Sequence, residues 1–277
     1  MSSKSMAARY DALVRAGVIE RDPAQIKLVA RLDALAESLS GFRLARKNSA
    51  LGWLFGKRNP APPKGLYVWG SVGRGKTMLM DLFYEGLSIR RKRRVHFHAF
   101  MADVHGRIHA FRQKLKTGVA RGDDPIAPVA EELAQEAWVL CFDEFTVTDI
   151  ADAMILGRLF TALFAQGVVV VATSNVEPDR LYEGGLNRTL FLPFIGLLKE
   201  RMDILKLEAR TDFRLEKLAG SPVFHTPADA QAHEALTRAF RSLSGRSHGE
   251  PVTLTVKGHP VAIPEAAGGG APRVRAR

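Results

Sequence analysis

The chain has 277 residues, 46% of them hydrophobic, and its 40 basic and 29 acidic side chains leave a formal charge of +11. That composition supports a substantial core, in one large domain or two smaller ones. No run approaches the roughly 18 consecutive apolar residues that would span a bilayer, and Asp11, Glu20 and Asp22 interrupt any leader-peptide pattern. The expectation is a soluble, cytoplasmic protein, and the lone cysteine, Cys141, reads as a small buried hydrophobe within WVLCF.

In chain order, residues 7–40 carry apolar side chains at helical spacing (Leu13, Val14, Ile26, Val29, Leu32, Leu35, Leu39) with a break at RDPAQ, which predicts two helices. A Pro-rich connector, KRNPAPPKG, follows at 57–65, so residues 1–63 read as an N-terminal helical segment and linker. Short runs rich in branched and aromatic residues then alternate with helical patterns: LYVW at 66–69, RVHFHAF at 94–100, WVLCFDE at 138–144, VVVVATSN at 168–175 and MDILKLE at 202–208. This alternation predicts an α/β domain over about 64–210, with a parallel five-stranded sheet flanked by helices. Beyond it, residues 227–243 read as a helix and VTLTV with KGHPVAI as a hairpin, within a C-terminal region at 211–264. EAAGGGAPRVRAR has no period, and residues 265–277 are expected to be disordered.

The basic excess raises nucleic acid or an anionic surface as a partner. RRKRR at 90–94 accounts for five of the charges, however, and solvated turns and tails carry such runs routinely, so nucleic acid is possible and not favoured.

GSVGRGKT at 70–77 fits G-x-x-x-x-G-K-[ST] through Gly70, Gly75, Lys76 and Thr77, and it lies between a predicted strand and a predicted helix, the context that gives this motif meaning. The spacing follows from phosphate chemistry. Backbone N–H groups from Gly70, Ser71, Val72, Gly73, Arg74 and Gly75 can close around an anion at a helix N-terminus. Lys76 reaches the β- and γ-phosphates, and Thr77 offers its hydroxyl to Mg²⁺. At the end of the third apolar run, Asp143 would hold the Mg²⁺ shell and Glu144 would polarise a water as general base, while a plain helix-capping role is the alternative. Asn175 ends the fourth run, where a polar group could touch the γ-phosphate or align that water, with a turn or cap as competitor. Arg188, in GLNRTLFLPFI, could serve as a finger on a nucleotide held by another subunit, against the default of a surface arginine. His96, His98, His105 and His109 suggest packing or hydrogen bonding more than a metal site, since no cysteine stands near them.

Taken together, GLYVWGSVGRGKTMLMDLFY, RVHFHAFMADVH, VLCFDEFTVTDIADAMIL, VVVVATSNVEPDRLYEGGLNRTLFLPFI and TDFRLE resemble the ZapE family of AAA+ ATPases, bacterial cell-division ATPases related to a mitochondrial ATPase of eukaryotes. The resemblance covers about residues 8–264. It implies a P-loop NTPase of AAA+ type that uses ATP and Mg²⁺, with Gly70–Thr77 as Walker A and Asp143 and Glu144 as Walker B. It also implies sensor 1 at Asn175 and an arginine finger at Arg188. Phe100 and Met101 would fall on a pore loop that grips a polypeptide, although core packing reads equally well. The implied activity is ATP hydrolysis coupled to remodelling of protein partners, namely destabilisation of polymers of the division protein FtsZ by a ring of subunits. A helicase-loader-like ATPase acting on DNA is the alternative, and a metabolite kinase is disfavoured because Glu144 would activate water that a kinase must exclude. Family members continue through a lid region, whereas the resemblance here fades near HPVAIPEAA. The expectation is therefore an incomplete lid, with nucleotide binding retained and hydrolysis and ring assembly impaired.

Overall fold

The structure, a computed structural model, describes residues 5–40, 61–119, 122–208, 229–244, 248–256, 259–267 and 271–273. Two compact units divide the chain, residues 1–210 and 211–277.

In the first unit, β1 (Gly65–Trp69), β2 (Lys92–His96), β3 (Val139–Asp143), β4 (Val169–Ser174) and β5 (Met202–Lys206) form one parallel sheet in the order β2-β3-β4-β1-β5. The expected five-stranded parallel sheet is thus present. Every residue of β3 and β4 is buried, as both faces of a parallel sheet must be. Successive side chains alternate between two cores. Tyr67, Leu140, Phe142, Val170 and Ala172 face one, with α4 (Phe97–Lys116), α5 (Ile126–Glu136), α6 (Ile150–Ala165) and α7 (Leu192–Arg201). Leu66, Val68, Val139, Cys141, Val169 and Val171 face the other, with α1 (Met6–Arg15), α2 (Pro23–Ser40) and α3 (Lys76–Gly86). The N-terminal helices are therefore part of the sheet's own core, through Tyr10, Leu28, Leu32 and Leu39, and not a segment apart from it. Complete burial pushes the Cys141 thiol up to about 12 and keeps it protonated.

The run read as a strand over 94–100 ends early: β2 stops at His96 and α4 begins at Phe97. Phe97, Phe100, Met101, Val104 and Ile108 recur at helical spacing and are all buried, so packing at a 3.6-residue period prevails over the histidine–phenylalanine alternation. This corrects the pore-loop expectation. Phe100 and Met101 are 0% and 1% exposed, and their side chains serve the core. His96 and His98 are exposed, His105 pairs with Asp152 at 2.7 Å, and no group of three or more metal-ligating side chains occurs among the described residues.

The second unit contains α8 (Ala230–Ser244), capped by Asp229 through the Ala232 N–H at 2.9 Å, and an antiparallel sheet of β6 (Glu250–Val256), β7 (His259–Ala267) and β8 (Ala271–Arg273). Residues 265–267 and 271–273, expected to be disordered, are strand instead: Glu265 pairs with Arg273 and Ala267 with Ala271. Backbone pairing satisfies these residues without the apolar period a sequence reading looks for. The TDFRLE string at 211–216 lies outside the described residues.

Candidate nucleotide site

The loop at 70–75 leaves β1 and turns into α3 through backbone conformations that favour glycine: Gly73 and Gly75 have φ of 80° and 83°. At Gly70 a Cβ would lie 2.5 Å from the Leu207 carbonyl oxygen, a close approach only glycine permits. Helix α3 has no side-chain N-cap and no acidic residue in its first turn, so its positive end is left for an anion. Half-buried Lys76 curls over the loop, its Nζ donating to the carbonyls of Gly70 at 2.6 Å and Ser71 at 2.8 Å. Exposed Thr77 follows in the first turn of α3. Backbone N–H groups at a helix N-terminus and a lysine ammonium are donors of the kind phosphates require.

Strand order then decides what lies opposite. β4 separates β1 from β3, so the polar ends of all three strands gather at one sheet edge, where doubly wound folds bind ligands. Asp143 closes β3 at 6% exposure. Glu144 follows it into solvent with φ of 54°, a left-handed conformation that costs a non-glycine residue about 1–2 kcal/mol. The turn is held open by neighbours: the Phe145 N–H donates to the Thr173 carbonyl at 2.7 Å, and the Ser174 hydroxyl donates to the Phe145 carbonyl at 2.6 Å. Ser174 Oγ also accepts from the Val176 N–H at 3.0 Å, bending the chain so that Asn175 stands exposed just past β4. Tyr67 secures the bend by donating to the Val176 carbonyl at 2.9 Å, and burial holds its phenol well above its ordinary pKa, so it stays a donor. The Gly70 N–H donates to the Ser174 carbonyl at 3.2 Å, joining the loop to the same bend.

Arg188 lies in a single 3₁₀ turn, Arg188–Leu190, preceded by Asn187 at φ of 57°. One guanidinium N–H donates to the Asp179 carbonyl, and Nε is buried without a partner among the described residues. The loop, Asp143, Glu144 and Asn175 thus share one sheet edge, while Arg188 is tethered within its own β4–α7 connection.

Two residues join this site that sequence reading overlooked. Arg94, counted there only as part of a basic run, grips Asp143 with two N–H groups at 2.7 and 3.3 Å and also bonds Asp81 on α3. Burial alone would lower the guanidinium pKa, but the two carboxylates outweigh it and raise it, so Arg94 remains charged. Gln25 on α2 is wholly buried and donates to the Arg74 carbonyl at 3.1 Å. Both contacts bridge 49 positions, beyond any local pattern. Beside the loop, a cavity of about 500 Å³ opens between the start of α2 and the end of β5, lined by Asp22, Ala24, Lys27, Val68 and Leu207. A second groove, of about 430 Å³ between α5, α6 and α7, includes none of the predicted site residues.

The model of the AFG1-like ATPase family matches residues 4–274, so residues 265–274 fall within the match and the resemblance does not fade near 264 as expected. Lactation elevated protein 1 homolog B of Danio rerio is 47% identical over 215 residues, 76% of this chain and 43% of that protein. Cell division protein ZapE of Escherichia coli K12 is 37% identical over 270 residues, 95% of this chain and 70% of that protein. Among solved structures, a putative primosome component from Streptococcus pyogenes serotype M3 aligns with a TM-score of 0.41 and 17% identity, covering 69% of this chain and 83% of that one. The chain thus spans under half the length of the zebrafish relative and about two thirds of the bacterial one.

Proposed function

Because the chain belongs to the AFG1-like ATPase family, we propose that it binds ATP at Gly70–Thr77 and hydrolyses it with Glu144 as the base that polarises the attacking water. The observation that carries this reading is Glu144 itself: an exposed carboxylate held at φ of 54° directly after buried Asp143, with one strand, β4, between it and the strand that leads into the phosphate loop. Local strain of this kind persists where surrounding structure enforces it, and it concentrates at functional sites. In this reading the loop N–H groups and Lys76 hold the phosphates, Asn175 aligns the water, and Arg188 completes the site of a neighbouring copy. Thr77 and Asp143 would hold Mg²⁺, which when bound neutralises charge on the phosphates. In this reading the adenine side of the nucleotide would occupy the cavity lined by Asp22 and Leu207.

The test is Glu144→Gln, which keeps the side chain's size and removes its basicity. It is expected to bind ATP about as tightly as the parent and to lose hydrolysis by on the order of a hundredfold or more. Phosphate release at the parent rate would remove Glu144 from this role.

The bacterial relative is named for cell division, and the resemblance carries the further proposal that ATP turnover here drives remodelling of division-protein polymers of the FtsZ type by an oligomer of this chain. Sedimentation of such polymers with and without the protein and ATP reads this directly. ATP-dependent loss of pelleted polymer is expected, and no loss with active ATPase would overturn it.

A further inference from the structure

The N-terminal helical pair reaches the phosphate loop through one side-chain amide. Gln25 Oε1 accepts from the Tyr10 hydroxyl at 3.0 Å, while Nε2 donates to the Arg74 carbonyl at 3.1 Å. Tyr10, 1% exposed on α1, accepts the Asp22 backbone N–H at 3.1 Å. Its own proton therefore goes to Gln25, since the other acceptor in reach, the Glu20 carbonyl, is farther at 3.4 Å. That fixes which end of the amide is oxygen and leaves Nε2 facing the loop. Asp22 pins the start of α2 by accepting from the N–H groups of Ala24 at 2.7 Å and Gln25 at 3.1 Å. Contact with the loop is tight: a Cβ on Gly75 would sit 2.8 Å from Gln25 Nε2.

The bond falls on a peptide that matters. In a planar trans peptide the carbonyl of one residue and the N–H of the next point in opposite directions. Holding the Arg74 carbonyl toward α2 therefore turns the Gly75 N–H the other way, away from α2. With that carbonyl released, the flexible Gly75 would allow the peptide to flip and present oxygen to an incoming phosphate.

We propose that Gln25 is a positioning residue of the nucleotide site: oriented by Tyr10, it locks the Arg74–Gly75 peptide in its phosphate-binding orientation and makes the N-terminal helices part of nucleotide recognition. The inference rests on the loop being the ATP site. Titration of the full chain with a fluorescent ATP analogue and Mg²⁺, and with the ADP counterpart, tests it. Gln25→Glu preserves shape and the Tyr10 bond, but when ionised it faces the Arg74 carbonyl with an acceptor. Affinity for both nucleotides is expected to fall about ten-fold relative to the parent, and the deficit is expected to narrow at lower pH, where a protonated Glu can donate again. Gln25→Leu should show a similar deficit with no such recovery. A packing role alone would lower the melting temperature of the nucleotide-free protein and leave the ratio of affinities flat with pH. Parent-like binding by both variants, or a Gln25→Glu deficit that stays flat with pH, overturns the proposal. If these variants do not fold, Tyr10→Phe keeps the ring and removes the orienting hydroxyl; about a three-fold loss supports the proposal and parent-like binding overturns it. Failure of the parent to bind, with Lys76→Ala indistinguishable from it, would instead overturn the ATPase reading itself.

Discussion

Arg94 and Asp143 show how one residue type can be legible in sequence while its partner is not. Asp143 was recognisable because it ends an apolar strand beside Glu144, whereas Arg94 was lost in a run of five basic residues, and only the pairing of β2 with β3 sets its guanidinium against the carboxylate. The side chains are 19% and 9% exposed, so each charge depends on the other for much of its solvation. Arg94→Ala should therefore destabilise the protein by about 2–4 kcal/mol, mostly by leaving Asp143 unpaired in a largely dry site. Asp143→Asn in the Arg94→Ala background should then cost much less than in the parent. Urea unfolding of the two single variants and the double variant measures the coupling, and additive costs would show that the pair is not a unit. Gln25 was illegible for the same reason as Arg94, since its role depends on a peptide 49 positions away that no local spacing reveals.

Elements were legible in proportion to their burial. β3 and β4 announce themselves as continuous apolar runs because both faces of the sheet are covered, and the phosphate loop follows from the β1–α3 junction. The β2–α4 junction misled because His96-Phe97-His98 imitates strand alternation, while the buried positions of α4 follow a helical period that begins at Phe97. What fixes that boundary is aromatic packing. Phe97 lies 3.9 Å between ring centroids from Phe145 and 5.5 Å edge-to-face from Phe142, which also meets Phe100 at 4.7 Å. Phe142 and Phe145 flank the Asp143–Glu144 pair, so the cluster sets the backbone that aims both carboxylates. Phe142→Ala should cost about 3–5 kcal/mol, and because the cavity forms next to Asp143, hydrolysis should fall by more than the loss of folded protein explains. Activity normalised to the folded fraction, measured well below the melting transition, separates the two effects. A normalised rate equal to the parent's would mean that the cluster supports the fold and not the site.

At the scale of the whole molecule, one chain supplies the loop, the carboxylates and Asn175 on a single sheet edge, while Arg188 stays bonded to Asp179 in its own connection. If Arg188 serves a neighbouring copy, one subunit can lack nucleotide binding and still lend its arginine, and another can lack the arginine and still bind. Mixing Lys76→Ala and Arg188→Ala subunits in equal amounts tests this. Each alone should be nearly inactive. With random assembly in a head-to-tail ring, half of the sites bind nucleotide and half of those adjoin a subunit with an intact arginine. Hydrolysis should then recover to about a quarter of the parent rate per subunit if sites act independently. Recovery should rise with total protein concentration, as association requires, and be absent when every subunit carries both substitutions. A mixture that co-elutes as an oligomer yet shows only the sum of the separate residual rates would place Arg188 outside the shared site and leave it a structural link to the Asp179 turn.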